Sequence, residues 1–307
     1  MTVRRLREGS CTDEDISEVQ KLVLTSKDCD VPDFSTELWS DAILITPRHA
    51  VRERWNEAAL AKHCSSTGNR KYIVHAEDRL SKTEEEVPLC ARVKIAGRDD
   101  RGAGNLEEIV EIAVGMKAMI VMNISTEANI ANGTRGIIEG IVLDPREEAT
   151  LPDKDGAIRL KYPPAMVLFK PERGTQARFA DIPAGLVPIT PSTTRFTIKT
   201  DDNRVFHIKR RQLPMTAAYT FTDYKSQGQT IEYAIVDIGD PPTGHMSPFG
   251  VYVALSRSRG RGTIRLLRDF DEKLFTHHPS EDLRLEMIRL EGLDQETKRK
   301  FNSESRG

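Results

Sequence analysis

The spacing of apolar positions changes twice along the chain. Residues 10–24 place Ile16, Val19, Leu22 and Val23 at helical spacing, with Thr12 as a cap and Asp15 three residues on, which predicts a helix. Ala42-Ile-Leu-Ile-Thr46 is a short continuous apolar run of the kind buried on both faces of a parallel sheet. Pro47 opens a further helix as its first residue, continued by Val51, Trp55, Ala58, Ala59 and Lys62. Strand followed at once by helix is the rhythm of a parallel α/β fold.

From residue 112 the period shortens. Lys117–Met122, Gly136–Leu143, Ile158–Leu160, Ala165–Phe169 and Thr194–Lys199 read as strands, and the last pairs with Arg204–Lys209 across Asp201-Asp-Asn203. Asn132-Gly133 is a tight-turn signal. Short strands punctuated by Gly and Pro predict a small antiparallel barrel. After Leu213-Pro214 the α/β rhythm returns. Thr216–Phe221 and Tyr233–Ile238 read as strands, Ser247-Pro248 opens a helix through Tyr252, Leu255 and Ser256, and Thr263–Leu267 is another strand. The expected organisation is an α/β parallel-sheet domain over 1–111, an inserted antiparallel β module over 112–212, the rest of the α/β domain over 213–276, and a charged helical tail over 277–307.

Composition narrows the classes. With 38% hydrophobic residues the chain can bury one large core or two smaller ones. No apolar run approaches the roughly 18–20 residues of a transmembrane helix, and the basic start lacks an apolar segment behind it, so neither a membrane span nor a signal peptide is expected. Cys11, Cys29, Cys64 and Cys90 lie far apart and form no CxxC pair, so neither a zinc ribbon nor a disulfide scaffold is expected, no metal site is assigned, and the default setting is reducing and intracellular. The net charge of −2 is unevenly divided. Between Arg204 and Arg268 ten Lys/Arg face four acids, a surplus of +6, and the remaining residues carry −8. Such a segment is either a solvated face or a phosphate-binding surface.

Two runs carry candidate chemistry. In Thr222-Asp-Tyr-Lys-Ser-Gln-Gly-Gln-Thr230, Lys225 supplies charge, Ser226 and Thr222 supply donors, and Gly228 allows close backbone approach to an oxyanion; the alternative is a polar loop with Gly at its turn. Tyr252-Val-Ala-Leu-Ser-Arg-Ser-Arg259 is an apolar helix ending in two arginines. These either complement the helix dipole or reach a phosphoryl group across a cleft.

Together the two runs resemble motifs V and VI of superfamily 1 DNA helicases of the RecD and PIF type, including Helitron helicases. The family patterns are T-x-H-K-S-Q-G-x-T and Y-V-A-x-S-R. Thr222, Lys225, Ser226, Gln227, Gly228 and Thr230 match the first, and Tyr252, Val253, Ala254, Ser256 and Arg257 the second. Upstream, Gly115–Asn123 with Ala131–Gly136 is similar to the family's G-x-x-V-M-x-x-x-N…N-G-x-x-G segment. Leu6-Arg-Glu-Gly9, Asp13, Asp15, Thr46-Pro-Arg48 and Asn56 fit the stretch leading into the second RecA-like domain. Tyr224 stands where the family has histidine, and no G-x-x-x-x-G-K-[ST] loop occurs in the 307 residues.

The resemblance implies a RecA-like parallel-sheet domain with an inserted SH3-like barrel, nuclear location, and half of a two-walled ATP site. Arg257 would be the arginine finger, with Gln227, Gly228 and Gln229 approaching the nucleotide. Arg48 would be either a second γ-phosphate contact or an exposed first-turn arginine. ATP and Mg2+ would bind only with the P-loop domain, supplied in cis or in trans. Single-stranded DNA would lie on Thr222, Tyr224, Lys225 and Ser226, with Asn132, Gly133 and Arg135 on the barrel turn, although Asn132-Gly133 reads equally as a plain hairpin. Phe221 is either a stacking platform or core, and Lys209-Arg210-Arg211 either lines the same groove or is solvated. A nucleic-acid-binding module without catalysis, or an interaction scaffold, remains the alternative.

Overall fold

A computed structural model of the chain describes residues 3–96, 103–125, 127–148, 151–222, 226–240, 245–278 and 280–304. The chain forms two compact units, one of residues 1–53 with 220–307 and one of residues 54–219.

The first unit is built on a parallel sheet. Helices α1 (Val3–Glu8), α2 (Asp13–Gln20) and α3 (Glu37–Ser40) lead to strand β1 (Ile43–Ile45), and α4 (His49–Thr67) follows it. The Thr12 hydroxyl accepts from the Asp15 N–H while the Asp15 carboxylate accepts from the Thr12 N–H, a reciprocal cap that starts α2 where the sequence places it. Helix α4 begins at His49 rather than Pro47, because the Thr46 hydroxyl accepts the Arg48 N–H and holds the first residues after the strand out of the helix.

The second unit contains β2 (Tyr72–His75), β3 (Glu77–Leu80), α5 (Leu89–Ala96), β4 (Ile109–Ile112), β5 (Lys117–Ile120), β6 (Arg135–Val142), β7 (Ile158–Leu160), β8 (Met166–Pro171), β9 (Val187–Ile189), β10 (Ser192–Lys199), β11 (Val205–Gln212) and β12 (Met215–Ala217). These strands make three sheets in the orders β12-β5-β6-β8-β9, β10-β11-β3 and β4-β2-β7. The five-stranded sheet is antiparallel, as expected, but β12 and β9 are its free ends. The antiparallel pairing expected of the β module is present, and among the described residues no sheet closes on itself into a barrel. Its core includes Val110, Met116, Ile120, Ile138, Val167 and Phe169. A separate cluster of Val87, Ala91, Ile95, Phe196, Ile198 and Ile208 joins α5 to the β10–β11 hairpin.

The chain then returns to the first unit through β13 (Thr220–Phe221), β14 (Ala234–Val236), α6 (Pro248–Leu255), β15 (Ile264–Leu266), α7 (Lys273–Thr276) and α8 (Glu281–Glu304). The run 216–221, read as one strand, is two: β12 pairs antiparallel with β5, and β13 pairs parallel with β1. The units therefore part at Tyr219/Thr220 and Glu53/Arg54, and residues 54–111 pack with the β module rather than with the parallel sheet. The parallel order is β13-β1-β14-β15, with every residue of β1, β14 and β15 buried. Phe221 is core.

Lys209-Arg210-Arg211 lies along β11 as paired charge, with Arg210 buried and Lys209 and Arg211 each about 31% exposed. Lys209 pairs with Glu84, Arg210 with Asp78 and Arg211 with Glu77, all from β3 or the turn after it.

Candidate functional site

The two ends of the parallel strands carry different chemistry. At the end where β14 begins, the loop after β13 is joined to the end of α6: Ile231 bridges Ser258 in parallel, and its N–H donates to the Arg257 carbonyl at 2.9 Å. Ser247 caps α6 by accepting the Gly250 N–H, and Pro248 occupies its first turn. At the other end of α6 the half-buried Arg257 folds back over the helix. Its Nε donates to the Val253 carbonyl (2.9 Å), Nη2 to the Ser256 hydroxyl (2.7 Å) and Nη1 to the Gln229 carbonyl (3.4 Å). The terminal carbonyls of a helix lack intrahelical partners, so the guanidinium is held where negative partial charge collects.

The sequence set is thus partly assembled. Arg257 and Gln229 touch, Gln227 and Gly228 are exposed beside them, and Gly228 has φ +73° with open space around its Cα. Ser226, expected as a DNA contact, is fully buried; its N–H donates to the Thr222 carbonyl, and its own carbonyl accepts from Gln229. Thr222 is half-buried, and Tyr224 and Lys225 lie outside the described residues.

Arg48 belongs to the opposite end of the strands. The Asp237 side chain, wholly buried just past β14, accepts from the Thr46 hydroxyl (2.9 Å) and from Arg268 Nη2 (3.2 Å). Arg268 Nε lies 2.9 Å from its other oxygen, Arg48 Nε lies 3.8 Å away, and Arg48 Nη2 donates to the Asp240 carbonyl. Arg48 contacts residues just past the end of β14, whereas the Arg257 carbonyl and Ser258 meet Ile231, before its start. Sequence reasoning missed Thr46, Asp237 and Arg268 as a group. The available signal was an acid ending the apolar run Ala234-Ile-Val-Asp237, since a carboxylate there needs cationic partners.

In the second unit Asn132 and Gly133 form a tight turn just before β6, at the end of the 121–134 connection from β5. The Gly133 N–H donates to the Ile120 carbonyl at 2.8 Å and the Asn132 N–H to Asn123 Oδ1 at 3.0 Å, with Gly133 at φ +93°. The Asn132 side chain is exposed, and Arg135 pairs with Glu172 at 3.1 Å.

No family model matches the chain. It is 25% identical over 166 residues to the human ATP-dependent DNA helicase PIF1, covering 54% of this chain and 20% of that protein. It is 25% identical over 209 residues to Pif1 of Campylobacter jejuni, covering 64% and 40%. Over about half its length the chain is homologous to Pif1-type DNA helicases. The fold agrees: the structure of Candida albicans Pif1 superposes with a TM-score of 0.61 at 18% identity over 94% of this chain and 56% of that one. Bacteroides Pif1 bound to ssDNA gives 0.57 at 18% identity over 95% and 53%. The chain spans between a fifth and two fifths of these curated relatives and about half of the solved structures. Among the described residues no helix is long and apolar enough to cross a membrane.

Proposed function

We propose that these residues supply the second RecA-like domain, with its inserted β module, to an ATP-dependent DNA helicase of the RecD and Pif1 type. The observation that carries the reading is the guanidinium of Arg257, set at the end of α6 against the Gln229 carbonyl. A P-loop domain, in cis or in trans, binds ATP and Mg2+; Arg257 exchanges its carbonyl partners for phosphate oxygens and neutralises charge in the transition state. Gln227, Gly228 and Gln229 line the approach, where the open space around Gly228 admits a phosphate or ribose. Single-stranded DNA is held through its phosphates by Thr222, Tyr224 and Lys225 and by the 132–135 turn, while Ser226 braces the loop from inside. Arg48 stands outside the nucleotide set, being committed to Asp237 and Asp240.

Two measurements test this. Alone, the chain turns over no ATP; mixed with the P-loop domain of a Pif1-type relative, it gains DNA-stimulated hydrolysis that Arg257→Ala lowers by roughly 10³–10⁵. Single-strand affinity falls as salt rises. DNA-stimulated hydrolysis by the chain alone, abolished by Arg257→Ala, overturns the division of labour, and salt-independent affinity overturns the phosphate contacts. A binding module without hydrolysis is the second reading, favoured by the lack of a P-loop in these residues.

A further inference from the structure

The second unit holds a cavity of about 390 Å³ at the end of the β4-β2-β7 sheet, bounded by β3 and α5. Its volume lies within the range of about 300–1,000 Å³ that small-molecule sites occupy. Most of its charges are already matched. Glu77 is paired with Arg146 and Arg211, Asp78 with Arg210, and Glu86 with Arg92. Four lining side chains remain without a hydrogen bond or ion pair among the described residues: His75, Glu108, Lys161 and Tyr162. The Tyr162 ring is fixed by the Arg146 guanidinium 4.0 Å from its centroid, and the Lys161 and Tyr162 backbone is anchored on Glu147.

The unmatched groups describe their ligand. Lys161 calls for an anion, Glu108 for an N–H donor, and the His75 and Tyr162 rings for a flat π-system. An aliphatic amino acid offers the charges but not the plane, and occupation by an aromatic one is an outcome of the test below. A nucleotide whose base carries an exocyclic amino group offers all three, and a carboxylate accepting from such an amino group is a recurrent base contact. We propose that this cavity binds one nucleotide of that kind, free or turned out of a single strand. The proposal rests on the reading that the chain contacts nucleic acid.

The test titrates the full chain with dCMP and dTMP, and with oligo-dC and oligo-dT of equal length. The cavity prefers dCMP by about tenfold; Glu108→Gln abolishes that preference and Lys161→Met weakens both nucleotides, with circular dichroism confirming that the variants fold. If oligo-dC binding also depends on Glu108, the source is a strand; if only dCMP does, it is a free nucleotide. Equal binding of dCMP and dTMP, no binding of either, or occupation by a peptide or an aromatic amino acid that nucleotides fail to displace overturns the proposal. Strand binding with no binding of either mononucleotide overturns the cavity alone and leaves the helicase reading standing. Nucleotide binding without strand binding does the reverse.

Discussion

Arg210 and Asp78, 132 residues apart in sequence, meet through two hydrogen bonds of 2.8 Å, from Nε to Oδ1 and from Nη2 to Oδ2. The arginine is only 2% exposed, and its third nitrogen donates to the Leu106 carbonyl at 3.0 Å. A buried fork of this kind is costly to break from one side, because the partner is left charged and unpaired. Arg210→Ala is expected to destabilise the second unit by about 3–5 kcal/mol. Replacing both partners by apolar residues costs much less. Urea unfolding followed by Trp55 fluorescence in a Trp39→Phe background reads the second unit alone; a change under about 1 kcal/mol for Arg210→Ala removes the pair from the stability of the fold.

Acid acts on both units through carboxylates held below their ordinary range. The Arg5 side chain, bonded to Asp15 at 2.6 Å through two nitrogens, holds that carboxyl well down, helped by the Thr12 N–H. Arg146 does the same to Asp144, lowering it to about 2. A depressed carboxylate stabilises the fold above its unfolded pKa of about 3.9 and loses that contribution as pH falls through the folded value. Stability should therefore decline below about pH 4. Asp15→Asn flattens the acid limb of the first unit and Asp144→Asn that of the second, as equilibrium unfolding across this range would show. Unchanged limbs in both variants would place the acid sensitivity elsewhere.

What the sequence discloses and what it hides follow the same physics. Thr12 with Asp15, the buried run of β1 and the Ser247-Pro248 start of α6 are local features, and local features are legible. Strand β3 was invisible because Glu77-Asp-Arg-Leu80 has no apolar alternation; its side chains are matched by Arg210 and Arg211 from far along the chain. That distant pairing also explains why Lys209-Arg210-Arg211 looks like free charge in sequence and is matched by carboxylates in the fold. Run 216–221 hides its break because both halves are equally apolar, and only their partners, β5 and β1, differ. At the site, motif spacing placed Arg257 beside Gln229, but the burial of Ser226 depends on packing that no spacing reveals.

Gly136 shows a constraint of space rather than of backbone angle. It lies buried in β6 opposite Pro171, and a Cβ there would strike the Lys170 carbonyl and the Phe169 ring. Overpacking of this kind typically costs about 1–3 kcal/mol. Gly136→Ala is expected to lower the urea midpoint of the second unit by that equivalent. Gly262→Ala, where nothing lies within 4 Å, serves as the neutral control. Equal midpoints for the two variants would mean that β6 and β8 can separate at no cost.

Arg48 separates a nucleotide contact from a structural tie. Its guanidinium bonds to the Asp240 carbonyl and lies near Asp237, a carboxylate that also depends on Arg268 and Thr46. Removing one of two cations from a buried carboxylate weakens it without leaving it wholly unpaired. Arg48→Ala is therefore expected to cost about 1–3 kcal/mol in the first unit, and Asp237→Ala, which strands two arginines together, about 3–5 kcal/mol. In the complemented ATPase, Arg48→Ala should leave turnover within a few-fold while Arg257→Ala abolishes it, because the two side chains lie at opposite ends of β14. A loss for Arg48→Ala as deep as that for Arg257→Ala, with stability unchanged, would return Arg48 to the phosphates and require the loop after β1 to rearrange when the nucleotide binds.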